Sequence, residues 1–213
     1  MEFKVEVYKT EEEQVQAIKQ WWKDNSTSLI AGIVIGVVIL TGYKYWIESN
    51  QNKAQQASII YDQLLSPETD KAKSVDVLKN NYSGTPYAAL AALLIAKDYV
   101  NTNEVEKAVS QLQWVIANNN SDAVQHVAQQ RLARVYIAIN KIESAEELIK
   151  GVKVEGFTAG YNEIRGDINL AKKSPLQAKE NYRIALSSLT QGDQRFDIIK
   201  MKLDDLTQAS KVK

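Results

Sequence analysis

One run of residues limits what this chain can fold into more than any other. From Asn25 to Tyr43 the sequence NSTSLIAGIVIGVVILTGY holds 19 residues without a charge, and its centre contains only Leu, Ile, Val, Ala and Gly. At ~1.5 Å per residue a helix of this length is about 28 Å long, close to the ~30 Å hydrocarbon core of a bilayer. The run therefore predicts a single transmembrane helix over residues 25–43, surrounded by membrane lipid.

The residues around this run favour an uncleaved anchor over two alternatives. Tryptophan and tyrosine stand on both sides, as in the aromatic belts of membrane interfaces; they are Trp21, Trp22, Tyr43, Tyr45 and Trp46. The core helix of a small domain rarely stays apolar on every face for this length. A cleavable signal peptide begins with a short basic region and ends in small residues, whereas here an acidic stretch precedes the run and bulky residues follow it.

Residues 1–24 predict a short cytoplasmic amphipathic tail. Thr10 and Glu13 have the spacing of a capping box, with Thr10 as the N-cap. Val15, Ile18 and Trp22 then fall on one face of a helix. Three lysines precede the span closely and two follow it, a difference too small to decide orientation. The shortness of the tail favours a cytoplasmic N-terminus with the larger part of the chain outside.

Gly32 and Gly36 form a GxxxG pair within the predicted span. Such a pair lets two helix backbones approach closely in lipid. Both glycines are therefore candidate partner-binding residues, and the partner is either another membrane protein or a second copy of this chain. The alternative is that glycine is simply frequent in membrane helices.

Prolines divide the remainder of the chain into helices. No Pro or Gly interrupts residues 44–65, which predicts a helical connector after the span. Ser66-Pro67, Thr85-Pro86 and Ser174-Pro175 each place an N-cap residue before a proline at the first helical position. No alternating β-pattern of convincing length occurs. Residues 66–213 are therefore expected to form an all-α domain.

Small and large residues recur at a regular spacing in this domain. Three alanines, 37 and 33 residues apart, each have a small residue twelve positions earlier and a large one four positions later. The sets are Ala96, Ala108 and Leu112; Ala133, Ala145 and Ile149; and Gly166, Ala178 and Tyr182. Facing small residues allow close antiparallel packing of helices. The spacing resembles the tetratricopeptide repeat, with ~34 residues and two helices, and predicts a tetratricopeptide-like α-solenoid.

A stack of such repeats leaves a groove lined by the first helix of each pair. By analogy with the repeat family, the groove positions are Lys97, Gln130, Arg134, Glu163 and Asp167. Their mixed charges favour an extended peptide or a partner helix over a small-molecule substrate. Two alternatives are that these charges are merely solvated, or that Arg134 and Asp167 pair with each other.

Composition argues against catalysis, cofactors and nucleic acid. The chain has no cysteine, which removes a thiolate nucleophile and Cys-rich metal sites, and its single histidine, His126, cannot form a multi-histidine site. The 26 basic residues balance 26 acidic ones, without the basic excess of a nucleic-acid binder. Neither a P-loop, a GxGxxG sequence nor an HExxH sequence occurs. We therefore expect no enzyme, no cofactor and no metal.

Several stretches together carry a resemblance to a known family. They are Gln14–Asn25, Gly42–Trp46, Thr85–Val100, Arg131–Ala138, Glu163–Lys172 and Met201–Leu206. In these stretches, and in the order of its parts, the chain resembles the YfgM-type ancillary subunits of the bacterial SecYEG translocon. One departure from the repeat pattern is Asn169, which stands where the first two repeats have tyrosine.

The resemblance implies a single-pass protein of a Gram-negative inner membrane, with its N-terminus in the cytoplasm and its repeat domain in the periplasm. It implies association with the SecYEG translocon and with a membrane-anchored periplasmic chaperone of the prolyl-isomerase-like type. The role implied is that of an adaptor assisting exported proteins. Two other functions fit the residues: a membrane-tethered scaffold with a cytoplasmic repeat domain, and a structural membrane protein that self-assembles through Gly32 and Gly36.

Overall fold

The computed structural model describes residues 11–66, 70–118, 121–190 and 192–209, and these residues contain helices and no strand. The α-helices are α1 (Glu11–Leu64), α2 (Lys71–Asn81), α3 (Pro86–Asn101), α4 (Val105–Asn118), α5 (Asp122–Ala138), α6 (Ile142–Leu148), α7 (Thr158–Ala171), α8 (Pro175–Ser187) and α9 (Gln194–Ala209). A 3₁₀ turn, Glu155–Phe157, precedes α7. The predicted all-α fold is confirmed.

Helix α1 contributes to two compact units, one ending at Lys53 and the other beginning at Ala54. It is 54 residues long, and its first turn is acidic, which favours a helix N-terminus electrostatically. The predicted N-cap, Thr10, lies outside the described residues. The predicted tail helix and the apolar run belong to this one helix, without a break between them.

No residue in the apolar part of α1 is buried. Its most apolar 18-residue window has no buried residue, and within the described parts of the chain α1 is the one helix long and apolar enough to cross a membrane. The alternative of a buried core helix is therefore wrong. A surface of this kind is stable in hydrocarbon, because every backbone polar group is paired within the helix and the side chains need no water.

The second unit stacks helices in antiparallel pairs. Helix α3 packs on α4, α5 on α6 and α7 on α8, while α5 also contacts α3 and α7. The small residues predicted to face each other are all buried; they are Ala96, Ala108, Ala133, Ala145, Gly166 and Ala178. The repeat spacing read from the sequence therefore marks the points at which the paired helices approach closely.

The same backbone turn joins the two helices of each pair. Asn103, Asn140 and Lys173 adopt left-handed φ values of 60°, 58° and 57°. In each turn the next residue donates its N–H to the carbonyl five positions earlier, with N···O distances of 2.7, 2.8 and 2.8 Å. This is the Schellman arrangement that ends many helices. Asparagine adopts the left-handed region more readily than lysine, so the third repeat keeps the turn with a less suitable residue.

In the third repeat the large aromatic side chain between the paired helices comes from the second helix, α8, and not from the first helix, α7. Asn169 on α7 replaces the tyrosine of the first two repeats, and α8 instead supplies Tyr182, where they have Leu or Ile. The Tyr182 side chain is fully buried, and its hydroxyl donates a hydrogen bond to Asp167 at 2.7 Å. A Cβ atom at Gly166 would lie within 3.0 Å of three atoms of this ring. Glycine is therefore required here by the size of Tyr182.

Two of the three predicted proline starts are confirmed, because α3 begins at Pro86 and α8 begins at Pro175. Neither preceding residue uses its side chain as a cap. The hydroxyl of Thr85 instead donates to the carbonyl of Tyr82 at 2.8 Å. The missing N–H of proline already removes one unpaired donor from each helix start.

The predicted start of α2 at Ser66-Pro67 is wrong. Pro67 lies outside the described residues, and α2 begins only at Lys71. Asp70 is the N-cap, and its carboxylate accepts the N–H of Lys73 at 3.2 Å. Aspartate is among the strongest N-cap residues, since its side-chain oxygen satisfies a donor that the helix itself leaves unpaired.

Candidate functional site

The predicted groove residues lie on three helices of the second unit. Lys97 is on α3, Gln130 and Arg134 are on α5, and Glu163 and Asp167 are on α7. The structure brings Arg134, Glu163 and Asp167 into one charged cluster. It places Lys97 in a neighbouring pocket and buries Gln130 between two helices, so the five residues do not form one continuous site.

The charged cluster is completed by Lys202 on α9. Glu163 accepts from Arg134 at 3.1 Å and from Lys202 at 2.9 Å. Lys202 also lies 2.8 Å from Asp167. The alternative that Arg134 pairs with Asp167 is therefore wrong, because Arg134 pairs with Glu163 while Lys202 reaches both carboxylates. We call Arg134, Glu163, Asp167 and Lys202 the Lys202 cluster.

Each acidic and basic group of the Lys202 cluster stabilises the charge of another. Burial alone would raise the pKa of Glu163, but the hydrogen bond from Lys202 and the charge of Arg134 hold this pKa below its ordinary value. Burial alone would lower the pKa of Lys202, but its hydrogen bonds to Asp167 and Glu163 raise it. Burial and the bond to Asp167 raise the pKa of Tyr182. At neutral pH the cluster has two positive and two negative groups and neutralises itself.

A pocket of about 390 Å³ lies between α3, α4 and α5, and Arg134 of the Lys202 cluster contributes to its lining. Four apolar and three basic residues line it; they are Ala96, Val100, Leu112, Val135, Lys97, Arg131 and Arg134. Partial burial, and then the nearby charge of Arg134, lower the pKa of Arg131. We call this site the basic pocket.

Gln130 does not face solvent as its predicted groove position requires. Its side chain is 7% exposed, and it lies where a Cβ atom of Gly160 on α7 would be. Its Nε2 atom has no hydrogen-bond partner among the described residues. The absence of a side chain at Gly160 is what lets Gln130 pack against α7.

His126 is held by neighbouring aromatic residues. Its Nδ1 atom is 2.8 Å from the hydroxyl oxygen of Tyr161, and its ring centre is 5.0 Å from that of Phe157. Burial raises the pKa of Tyr161 to about 12, so this hydroxyl stays protonated at neutral pH. Across the described ranges no group of three or more His, Asp or Glu side chains could hold a metal ion.

Gly32 and Gly36 lie in the apolar part of α1. A Cβ atom added at either glycine would meet no atom of the described residues within 4 Å. No contact among the described residues therefore requires glycine at these positions. The two residues leave a shallow strip on the helix that is open to another helix in a membrane.

The sequence analysis did not predict two residues of the site, Arg131 and Lys202. Arg131 lies three positions before Arg134, and this spacing places both on one face of a helix, so Arg131 could have been found. Lys202 follows the repeats by sequence and carries no repeat signal. Only the packing of α9 brings it to Glu163 and Asp167.

These features define a helical-repeat protein with a candidate membrane helix, α1, in the described part of the chain. The family model of the tetratricopeptide repeat-like domain matches residues 19–208. An ancillary SecYEG translocon subunit of Escherichia coli (strain K12) is 30% identical over 190 residues, covering 86% of this chain and 91% of that protein. The proteins of the same name from Aggregatibacter actinomycetemcomitans and Haemophilus influenzae are 31% and 29% identical, covering 92% of this chain and 97% of each relative. No solved structure matches the chain.

The chain belongs to the family of ancillary SecYEG translocon subunits, and most of it matches the tetratricopeptide repeat-like domain. The resemblance read from the sequence is thereby confirmed, as is the tetratricopeptide-like architecture.

Proposed function

We propose that this protein is a membrane-anchored adaptor of the Sec translocon. Residues 25–43 cross the inner membrane, residues 1–24 stay in the cytoplasm, residues 44–65 form a connector, and residues 66–213 form a periplasmic repeat domain. The names of the relatives support association with SecYEG. The apolar, exposed part of α1 supports the single membrane crossing.

The observation that carries this proposal is the continuity of α1. The helix that holds the apolar run also contributes Ala57 and Leu64, both fully buried, to a hydrophobic cluster with Val75 and Leu78 of α2. The proposed anchor and the proposed connector thus belong to one helix, Glu11–Leu64. This arrangement suits a subunit that keeps its binding domain attached to the bilayer.

The adaptor links the channel to a membrane-anchored periplasmic chaperone of the prolyl-isomerase-like type and so assists exported proteins. It acts without catalysis, cofactor, small-molecule substrate or nucleic acid. Two separate surfaces are available for its partners. The strip at Gly32 and Gly36 faces neighbours within the membrane, and the basic pocket with its surrounding positions, including Lys97 and Arg134, faces soluble segments.

Reporter fusions test the orientation. A reporter that is active only outside the cytoplasm, fused after Lys213, should be active, whereas the same reporter fused before residue 11 should not. Activity of only a cytoplasmic reporter after Lys213 would contradict the adaptor and favour the membrane-tethered scaffold with a cytoplasmic repeat domain.

Photo-crosslinking in intact membranes tests the partners. A photoreactive residue at position 33, next to Gly32, should capture a SecYEG subunit, and one at Lys97 should capture a chaperone component. Position 200, where Lys200 is exposed on α9, provides a matched control for the second probe. Efficient labelling of unrelated proteins only, at both test positions, would refute the assignment.

Self-assembly is the second candidate, favoured by the free space at Gly32 and Gly36. Replacing both glycines by isoleucine should abolish crosslinks between copies of the chain if self-assembly is the function. The adaptor predicts instead that crosslinks to the channel are lost while the repeat domain stays folded. Ala31→Ile, beside Gly32, controls for added bulk on α1.

A further inference from the structure

The chain itself neutralises the acidic positions of its groove. Lys202 on α9 binds Glu163 and Asp167 together, and Arg134 supplies a further bond to Glu163. The side chain of Glu163 is only 9% exposed. A partner approaching this region therefore meets carboxylates that already have cationic neighbours and gains little by offering its own lysine or arginine.

Two of the three cations of the basic pocket, Lys97 and Arg131, have no such internal compensation, whereas Arg134 is paired with Glu163. Neither Lys97 nor Arg131 forms an ion pair with any carboxylate in the part of the chain that the structure describes. The acidic residue next to Lys97 in sequence, Asp98, is bound by Lys71 at 2.7 Å. Arg131 makes one long contact, from its guanidinium to the carbonyl of Leu93 at 3.4 Å. Positive charge is thus left unpaired on one side of the groove.

Most residues that line the pocket are apolar. Val100 is 45% exposed, and Val135 and Leu112 line the same space. A volume of about 390 Å³ lies near the lower end of the range for ligand pockets, ~300–1,000 Å³. Such a site accommodates a large apolar side chain and the groups beside it, and three basic side chains contribute to its lining.

We propose that the basic pocket binds an acidic segment of a partner protein, in which carboxylates flank a large apolar side chain. The carboxylates would bind Lys97, Arg131 and the outer part of Arg134, and the apolar side chain would cover Val100. Charge complementarity selects this partner chemistry, since Glu163 and Asp167 are already paired within the chain whereas Lys97 and Arg131 have no carboxylate partner among the described residues. This inference rests on the proposed adaptor function, for which it names the chemistry of one partner.

Peptide binding to the full chain in a nonionic detergent tests the proposal. Three fluorescein-labelled peptides are compared by anisotropy: one with Asp and Glu around a central Leu-Phe pair, one with Lys replacing the acidic residues, and one with Ser replacing Leu and Phe. Only the first should bind well, and its affinity should fall as salt rises, because exposed charges are screened. Equal binding of the first two peptides would overturn the proposal.

Charge reversal locates the site on the protein. The double variant Lys97→Glu/Arg131→Glu should weaken binding of the acidic peptide about tenfold. Lys200→Glu changes an exposed lysine on α9 and should leave the affinity unchanged. Circular dichroism checks the fold of each variant, and Lys97→Glu alone, which changes one exposed side chain, tests the site if the double variant unfolds. Equal weakening by the control and test variants would refute a specific pocket.

The apolar lining of the basic pocket gives an independent readout. Val100→Ser keeps every charge and removes exposed apolar surface, so it should weaken the acidic peptide severalfold and leave the serine-substituted peptide unaffected. If Val100→Ser leaves the affinity for the acidic peptide unchanged, binding depends on general charge attraction alone and the proposal is overturned. Displacement of the peptide by glycerol phosphate, but not by sodium chloride of equal ionic strength, would assign the pocket to lipid headgroups and also overturn it.

These outcomes separate the inference from the proposed function. If acidic peptides fail to bind while crosslinks to the translocon persist, the inference fails and the adaptor stands. If the peptides bind but the reporter after Lys213 shows a cytoplasmic repeat domain, the adaptor fails and the specificity of the pocket stands.

Discussion

The contact between Gly166 and Tyr182 predicts a mutation whose effect changes sign with its background. In the native chain, Gly166→Ala places a methyl group within 3.0 Å of a fully buried ring. Overpacking of this kind costs about 1–3 kcal/mol, and the contact is close enough to lie in the upper half of that range. The better helix propensity of alanine returns about 1 kcal/mol. We expect the free energy of unfolding to fall by about 1–2 kcal/mol.

In a Tyr182→Leu background the same substitution should stabilise the protein. Leucine gives α8 the residue that the first repeat has at Leu112, opposite Ala96. The new methyl group then enters vacated space, adding about 0.8 kcal/mol from burial to the propensity gain. Incomplete filling of the space reduces the sum, so we expect a gain of about 1 kcal/mol. The coupling energy of the two sites is then about 2–3 kcal/mol.

Urea unfolding of the full chain in nonionic detergent, followed by far-UV circular dichroism, measures all four members of this cycle. Gly160→Ala, combined with the same Tyr182→Leu change, is the control, because Gly160 faces Gln130 instead of Tyr182. That pair should be additive. The packing argument is wrong if Gly166→Ala has the same sign and size in both backgrounds.

Three further predictions use the same assay. Lys173→Asn should stabilise the protein by about 0.5–1 kcal/mol, because asparagine adopts the left-handed backbone more readily; a loss would contradict the shared turn. Gln130→Met should stabilise it by about 1–2 kcal/mol by removing a buried amide without a partner among the described residues; destabilisation would indicate that this amide is paired. Folding lowers the pKa of Glu163 from its ordinary value of 4.5. The ionised carboxylate therefore stabilises the folded protein fully above this pH, and the stabilisation is lost as the pH falls through the pKa of the folded state. Glu163→Gln should therefore flatten the acid side of the stability profile, and an unchanged slope would refute the role of the ion pairs.

The charged site shows why the sequence predicted some residues and missed others. Groove positions follow from the repeat register, so Lys97, Arg134 and Asp167 could be named without a structure. Their partners could not, because Lys202 lies 39 residues from Glu163 along the chain. Gln130 occupies a groove position by register, yet the lack of a side chain at Gly160 allows it to be buried.

The sequence by itself determined the apolar helix and the spacing of the helix pairs. Both depend on composition and periodicity within short stretches, where neighbouring residues share one helix. Three features were decided only by tertiary structure. Helix α2 begins at Lys71. In the third repeat Tyr182, and not the residue at position 169, fills the space between the helices, and Lys202 neutralises Glu163. Each of these depends on which side chains from distant segments meet, and packing distances between helices carry no local signal.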